Sequence, residues 1–181
     1  MLGLTLPSSA AAATIYVTNL SGGNEVPPNG STGTGNVVVS LTGDLLTVNE
    51  VFSGLTVAAS AAHIHCCGPA GVSVGVAVPF VGFPTTTSGT YTRTFDLTLA
   101  STYTAGFVTA SGGTAAGAEA ALIVGLNGGQ TYANIHNPTY PGGEIRGQLA
   151  AAPVPEPTTA GLMLLGLAPL GMLLRRRAAR G

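Results

Sequence analysis

All three histidines of this 181-residue chain lie in two short segments, Ala62-His63-Ile64-His65 and Asn134-Ile135-His136-Asn137. On a β-strand, residues two apart project to the same face, so His63 and His65 point together while Ile64 points away. That makes a natural chelating pair. With the strand that carries His136 alongside, three imidazoles would converge, and three neutral histidines with one open coordination position suit zinc or copper. The same spacing also serves polar residues near a strand end that hydrogen-bond to loops, and spacing alone leaves both readings open.

Two cysteines, Cys66 and Cys67, follow the pair directly. Neighbouring cysteines cannot staple distant parts of a fold, since the ring they close encloses a single peptide bond. Two small loop residues, a vicinal disulfide, an intermolecular bridge and a pair of soft metal ligands are the alternatives. As ligands beside His63 and His65 they would favour a soft ion such as Cu(I). Glu144 and Arg146 are also two apart, and could pair with each other or with Glu25. In a domain this poor in charge, such a set reads as a structural ion pair tying loops to a sheet rather than as an acid and a cation for catalysis. No Gly-x-Ser-x-Gly elbow, phosphate loop or dinucleotide fingerprint occurs.

The elements that must position these residues read as short β segments broken by Gly, Pro and Asn, the pattern of an antiparallel sandwich or a Greek-key-like barrel. Residues 15–20 form a first strand. Residues 35–41 and 45–52 flank Thr42-Gly43-Asp44, a hairpin by position and turn chemistry. Residues 91–99 alternate clearly, with the threonines and Asp96 on a wet face and Phe95, Leu97 and Leu99 on a buried one. Residues 72–80 are a more fully apolar strand, and residues 132–136 and 144–149 close a hairpin across the loop 137–143. The Gly- and Pro-rich stretches 21–35 and 82–89 are loops. At most one short helix is expected, over residues 115–126, ended by Gly128-Gly129.

Composition narrows the function. Charged residues make up 7% of the chain and every basic residue is arginine, so the surface is hydroxyl-rich rather than ionic. Four of the six arginines lie beyond Leu174; before the tail only Arg93 and Arg146 oppose six carboxylates. Such a domain has no electrostatic footprint for nucleic acid. At the start, residues 1–13 read as the remnant of an export signal, a short apolar stretch followed by small residues that suit cleavage near Ala13, with the basic part expected upstream of Met1. At the other end, Pro155-Glu156-Pro157 holds the linker 151–157 extended. An apolar run over residues 158–174 follows, then Arg175-Arg176-Arg177. As a helix the run gives about 25 Å against a hydrocarbon core of about 30 Å, a marginal permanent anchor and an adequate temporary one. The arginines would stay on the cytoplasmic side of an inner membrane.

That tail resembles the PEP-CTERM sorting signal, which exosortase-type transpeptidases recognise in Gram-negative bacteria. The resemblance implies export, transient anchoring in the inner membrane by the helix and basic end over 158–181, cleavage near the Pro-Glu-Pro triplet, and delivery to the cell surface or an extracellular matrix. Five blocks in the domain itself, Glu25-Val26-Pro27-Pro28, Phe52-Ser53-Gly54-Leu55, His63-Ile64-His65, Tyr132-Ala133-Asn134-Ile135-His136 and Gly143-Glu144-Ile145-Arg146-Gly147-Gln148-Leu149, resemble the CHRD domain. That family implies an all-β fold in an extracellular setting. The chain departs from the family pattern where Cys66-Cys67 intervene before Gly68-Pro69.

The reading that follows is one CHRD-like β domain over residues 14–150, with a binding or structural role, exported and sorted by its tail. Its partners would be an exosortase-type enzyme, the inner membrane in passing, and exopolysaccharide or other surface proteins. The competing reading is a copper- or zinc-dependent redox enzyme distantly reminiscent of Cu/Zn superoxide dismutase, a β-sandwich whose copper is held partly by a His-x-His strand.

Overall fold

A computed structural model describes residues 12–153. The export-signal remnant through residue 11, the Pro-Glu-Pro linker from residue 154 and the sorting helix lie outside the described residues. Among those described, no helix is long and apolar enough to cross a membrane.

The hairpin around Gly43 starts the fold. β1 (Thr14–Ser21) pairs antiparallel with β2 (Thr34–Thr42), and β2 with β3 (Leu45–Ser53) across the two-residue loop Gly43-Asp44. Gly43 supplies the positive φ of 56° that a tight hairpin loop requires. Alternation then sorts the faces: Val37 and Val39 on β2, and Leu46, Val48 and Phe52 on β3, are buried, whereas Leu45 and Val51 are exposed. Next come β4 (Ala61–Cys66), β5 (Val76–Pro79) and β6 (Gly89–Asp96), then α1 (Ala105–Ala110), α2 (Ala115–Asn127), β7 (Thr131–His136), β8 (Ile145–Gln148) and the short β9 (Ala150–Ala151).

The nine strands form one antiparallel sheet in the order β5-β4-β7-β8-β1-β2-β3-β6, with β9 also on β1. The all-β antiparallel expectation holds; in place of the expected sandwich of two packed sheets or Greek-key-like barrel, a single sheet curves into a half-barrel. β1 is the reason. Along one edge it carries the full β2 register, and along the other it meets β8 at Ser21–Arg146 and β9 at Tyr16–Ala151, so the two halves are continuous. Phe80, just beyond edge strand β5, stacks 5.2 Å from Tyr91 and lies 6.1 Å from Phe95 on the opposite edge strand β6. Aromatic packing, with bonds from the Tyr91 hydroxyl and Arg93 to the Val81 carbonyl, therefore spans the gap that the strand ladder leaves open.

The helix α2 covers the core where expected, capped by Thr114, whose hydroxyl accepts from the Gly117 N–H at 3.0 Å. Ala118, Leu122 and Leu126, one helical turn apart, are its buried stripe. The six-residue α1 is unanticipated; its Gly and β-branched content hides it, and its one sequence signal is the cap Thr104, which accepts from the Phe107 N–H at 3.2 Å. Two strand boundaries also differ from expectation. β6 stops at Asp96 because its carboxylate accepts both the Thr98 N–H at 2.9 Å and the Thr98 hydroxyl at 2.6 Å, turning the chain and leaving Leu99 exposed instead of buried. β5 starts only at Val76, because residues 72–74 are held elsewhere by side chains of the site.

Candidate metal centre

β4 pairs with β7 so that His63 lies opposite Asn134, His65 opposite Tyr132 and Ala61 opposite His136. On the far side of β7, Asn134 lies opposite Arg146 and Tyr132 opposite Gln148 of β8. Period-two alternation then divides the two sides of the sheet. Ile64, Ala133, Ile135 and Ile145 enter the hydrophobic core, while His63, His65, Tyr132, Asn134, His136 and Arg146 share the other face.

There the three histidines converge: one ligand nitrogen from each lies within 4.8 Å of the others. The ring centroids are 5.6 Å apart for His63 and His65, 4.9 Å for His63 and His136, and 6.1 Å for His65 and His136. Two backbone carbonyls orient two of the rings. His65 Nδ1 donates to the Val74 carbonyl at 2.7 Å and His136 Nδ1 to the Pro141 carbonyl at 3.0 Å. A carbonyl only accepts, so both neutral rings are fixed as Nδ1–H tautomers with the Nε2 lone pair free for a ligand. Both Nε2 atoms lie 3.0 Å from Asn134 Oδ1. His63 Nδ1 is buried and has no hydrogen-bond partner.

Burial holds all three imidazoles toward the neutral form. His63 is pushed down to about 4 by desolvation, then by the neighbouring His136 and His65. His65 and His136 are also lowered by burial, against the opposing pull of the Val74 and Pro141 carbonyls. Neutral imidazole is the state that binds a metal.

Around the histidines, residues 72–74 form a strap across the face. The Tyr132 hydroxyl accepts from the Val74 N–H and donates to its carbonyl, both at 3.2 Å. Arg146 donates to the Val72 carbonyl at 2.8 Å and to Ser73 Oγ at 3.3 Å. The guanidinium lies 3.3 Å from the centre of the Tyr132 ring, which itself stacks on His65 at 4.5 Å and 7°. Arginine, tyrosine and histidine thus form one continuous stack that locks the His65 ring plane.

The remaining residues singled out in the sequence fall differently. Cys66 and Cys67 are joined in a disulfide, and both sulfurs lie against the Ala121 carbonyl of α2. Alternation puts Cys66 on the core side of β4, opposite His65, so of the alternatives the vicinal disulfide is the one formed, and its sulfurs face away from the histidines with no free thiol to bind an ion. Gly125 makes room for them: a methyl group there would sit 2.9 Å from Cys67 Sγ and closer still to Cys66 Sγ.

The expected ion pair of Glu144, Arg146 and Glu25 separates into individual roles. Glu144 is fully buried and binds the Ser31 hydroxyl at 2.6 Å, the Thr56 N–H and hydroxyl at 2.7 Å, and the Asn137 amide. These donors saturate the carboxylate and pin three loops to the end of the sheet, while Arg146 turns to Tyr132 and the strap. Glu25 keeps an electrostatic link to Arg146. Burial raises its pKa and Arg146 opposes that rise, while its Oε1 has no hydrogen-bond partner.

Tyr132, Asn134 and the strap escaped the sequence reading as parts of the site. The signal for the first two was present, since Tyr132, Asn134 and His136 are each two apart on one strand and must share a face.

A family model for the CHRD domain matches residues 16–149, and one for the PEP-CTERM protein-sorting motif matches residues 153–177. No curated protein and no solved structure matches the chain.

Proposed function

From the premise that the chain belongs to the CHRD domain family, we propose that it is a metal-binding surface or matrix protein, its domain holding one zinc or copper ion through His63, His65 and His136. The PEP-CTERM motif marks an exported protein of a Gram-negative bacterium that is processed by exosortase at the membrane. Release at the cell surface, into a matrix of exopolysaccharide and other surface proteins, is the finer part of the proposal. It is motivated by the hydroxyl-rich, weakly charged composition of the domain.

One observation carries the metal: three imidazole donors within 4.8 Å on one sheet face, one of which, His63, has a buried nitrogen without a partner. Polar atoms taken out of water cost free energy unless something binds them, and native folds leave few such atoms unexplained. An ion held by three neutral imidazoles keeps an open position, so a carboxylate, hydroxyl or water from outside could complete the coordination.

Titration calorimetry of the purified protein with Zn(II) and with Cu(II) tests the proposal. A single transition at about one ion per chain is expected. His136→Ala, which removes a donor contributed by the second strand, should weaken it at least tenfold, on the order of the loss that attends damage to a metal site. Cys66→Ser/Cys67→Ser should leave it unchanged, since those sulfurs face α2. Binding unaffected by His136→Ala would contradict the three-histidine site.

A further inference from the structure

We infer that Asn134 is a fourth ligand, supplying its side-chain amide oxygen to the same ion, so that the centre is a three-nitrogen, one-oxygen site for a divalent first-row metal; the inference rests on the three-histidine reading above. Its basis is a conflict among acceptors. With Nδ1–H committed to the Val74 and Pro141 carbonyls, His65 Nε2 and His136 Nε2 both present lone pairs, and each lies 3.0 Å from Asn134 Oδ1. An amide oxygen carries no hydrogen. Three lone-pair atoms therefore meet at hydrogen-bonding distance with no proton among the neutral groups to share, and a cation at their centre resolves the repulsion.

The spacing suits that cation. Ligands bonded at about 2.1 Å stand about 3.0 Å apart when they subtend a right angle, and about 3.4 Å apart in a tetrahedron. The two O–N separations of 3.0 Å match ligands at a right angle around one metal, and the histidine nitrogens, within 4.8 Å of one another, close to about 4.2 Å or less to share it. The amide cannot turn freely to offer its NH2 group to the imidazoles instead. Asn134 Nδ2 and the Glu25 carboxylate flank the same Gly143, where a methyl group would sit 2.8 Å from Nδ2 and against Glu25 Oε1. Rotating the amide would set its oxygen against that carboxylate. Glu25, 5% exposed, is thus a positioning residue that holds the oxygen toward the histidines. Gly143, with φ of 132°, leaves the space that the carboxylate and the amide both border. Asn134 is itself 2% exposed, so the ligand is fixed before an ion arrives. An oxygen in the set favours Zn(II) or Cu(II) over Cu(I), which prefers soft donors.

Competition titrations of Zn(II) and Cu(II) against a chelator, on the wild-type chain, Asn134→Ala, Asn134→Asp and His63→Ala/His65→Ala, separate the possibilities by sign. If the oxygen binds the ion, Asn134→Ala loses about 10- to 100-fold in affinity, while Asn134→Asp, which keeps an oxygen and adds charge, binds as tightly as the wild type or more so. If instead the amide NH2 caps the two Nε2 atoms, it competes with the metal, and Asn134→Ala binds equally or more tightly; that result overturns the fourth ligand and leaves the three-histidine centre standing. Should Asn134→Ala not fold, Asn134→Asp decides alone, because loss of affinity there contradicts an oxygen ligand. Wild-type protein that binds neither ion would remove both the fourth ligand and the reading on which it rests.

Discussion

Glu50→Gln is expected to remove a steep loss of stability that the wild-type domain suffers between about pH 5 and pH 8. Glu50 sits in the middle of β3, between Val37 of β2 and Tyr91 of β6, on the face that buries Leu46, Val48 and Phe52. It is 1% exposed, and neither carboxylate oxygen has a hydrogen-bond partner. Burial pushes its pKa up to about 8 from an ordinary value of 4.5. The sign follows from proton binding. Below the ordinary value both folded and unfolded chains carry the proton, and nothing is lost. As the pH rises, the unfolded chain ionises first while the folded chain keeps its proton, so stability falls until the folded group also ionises near pH 8. Each unit is worth about 1.4 kcal/mol, which makes the loss about 3 kcal/mol by pH 7.

Glutamine has nearly the shape of the protonated acid and no proton to lose. Urea unfolding of both chains at pH 5, 6, 7 and 8 measures the difference, and the other carboxyls that burial raises, Glu25 and Glu119, titrate in both and cancel. The two stability curves should meet near pH 5 and diverge by several kcal/mol toward pH 8. Parallel curves would mean that Glu50 has found a partner or water that keeps its pKa ordinary.

The second large effect is coupled to the metal. An ion that binds only the folded domain stabilises it by RT ln(1 + [M]/Kd), about 4 kcal/mol at a thousandfold excess over Kd. Zinc at that excess should therefore raise the melting temperature by on the order of 10 °C, and chelation should reverse the change. In His63→Ala/His65→Ala the metal-dependent part should vanish. Each chain is compared with itself, loaded and stripped, because removing His65 also deletes its stack on Tyr132 and its bond to Val74. A shift that persists in the double variant would place the ion elsewhere.

The strands were legible wherever one face is wet. β2 and β3 announce themselves by alternation and by the Gly43-Asp44 turn, whereas β7 and β8, buried on both faces, are marked by the Asn137–Gly143 break; the structure extends or trims all four by a residue or so. Legibility fails where side chains, not periodicity, decide. Asp96 ends β6 through its own turn, so Leu99 could not be told from Leu97 by pattern. The strap 72–74 looks like part of a strand, but Arg146, Tyr132 and His65 bind its backbone from outside, and no local signal marks that. The half-barrel, rather than a sandwich or a Greek-key-like barrel, depends on both edges of β1, a long-range pairing that local sequence does not encode. In the site, the three histidines could be read from spacing, whereas the guanidinium–tyrosine–histidine stack and the turn of the cysteines toward α2 required the register of β4 against β7. Glu144 and Arg146 have loop hydroxyls, amides and backbone as partners rather than each other, which their spacing does not encode.

Metal content of the protein, purified without chelator and without an affinity metal, is the most direct measurement, made beside His63→Ala/His65→Ala prepared in the same way. About one zinc or copper per wild-type chain, and none in the variant, is the predicted result. No metal in the wild-type protein even after loading with both ions, or equal metal in the two chains, would contradict the centre and leave the histidines as structural polar residues, His65 anchoring the strap and His136 the loop at Pro141.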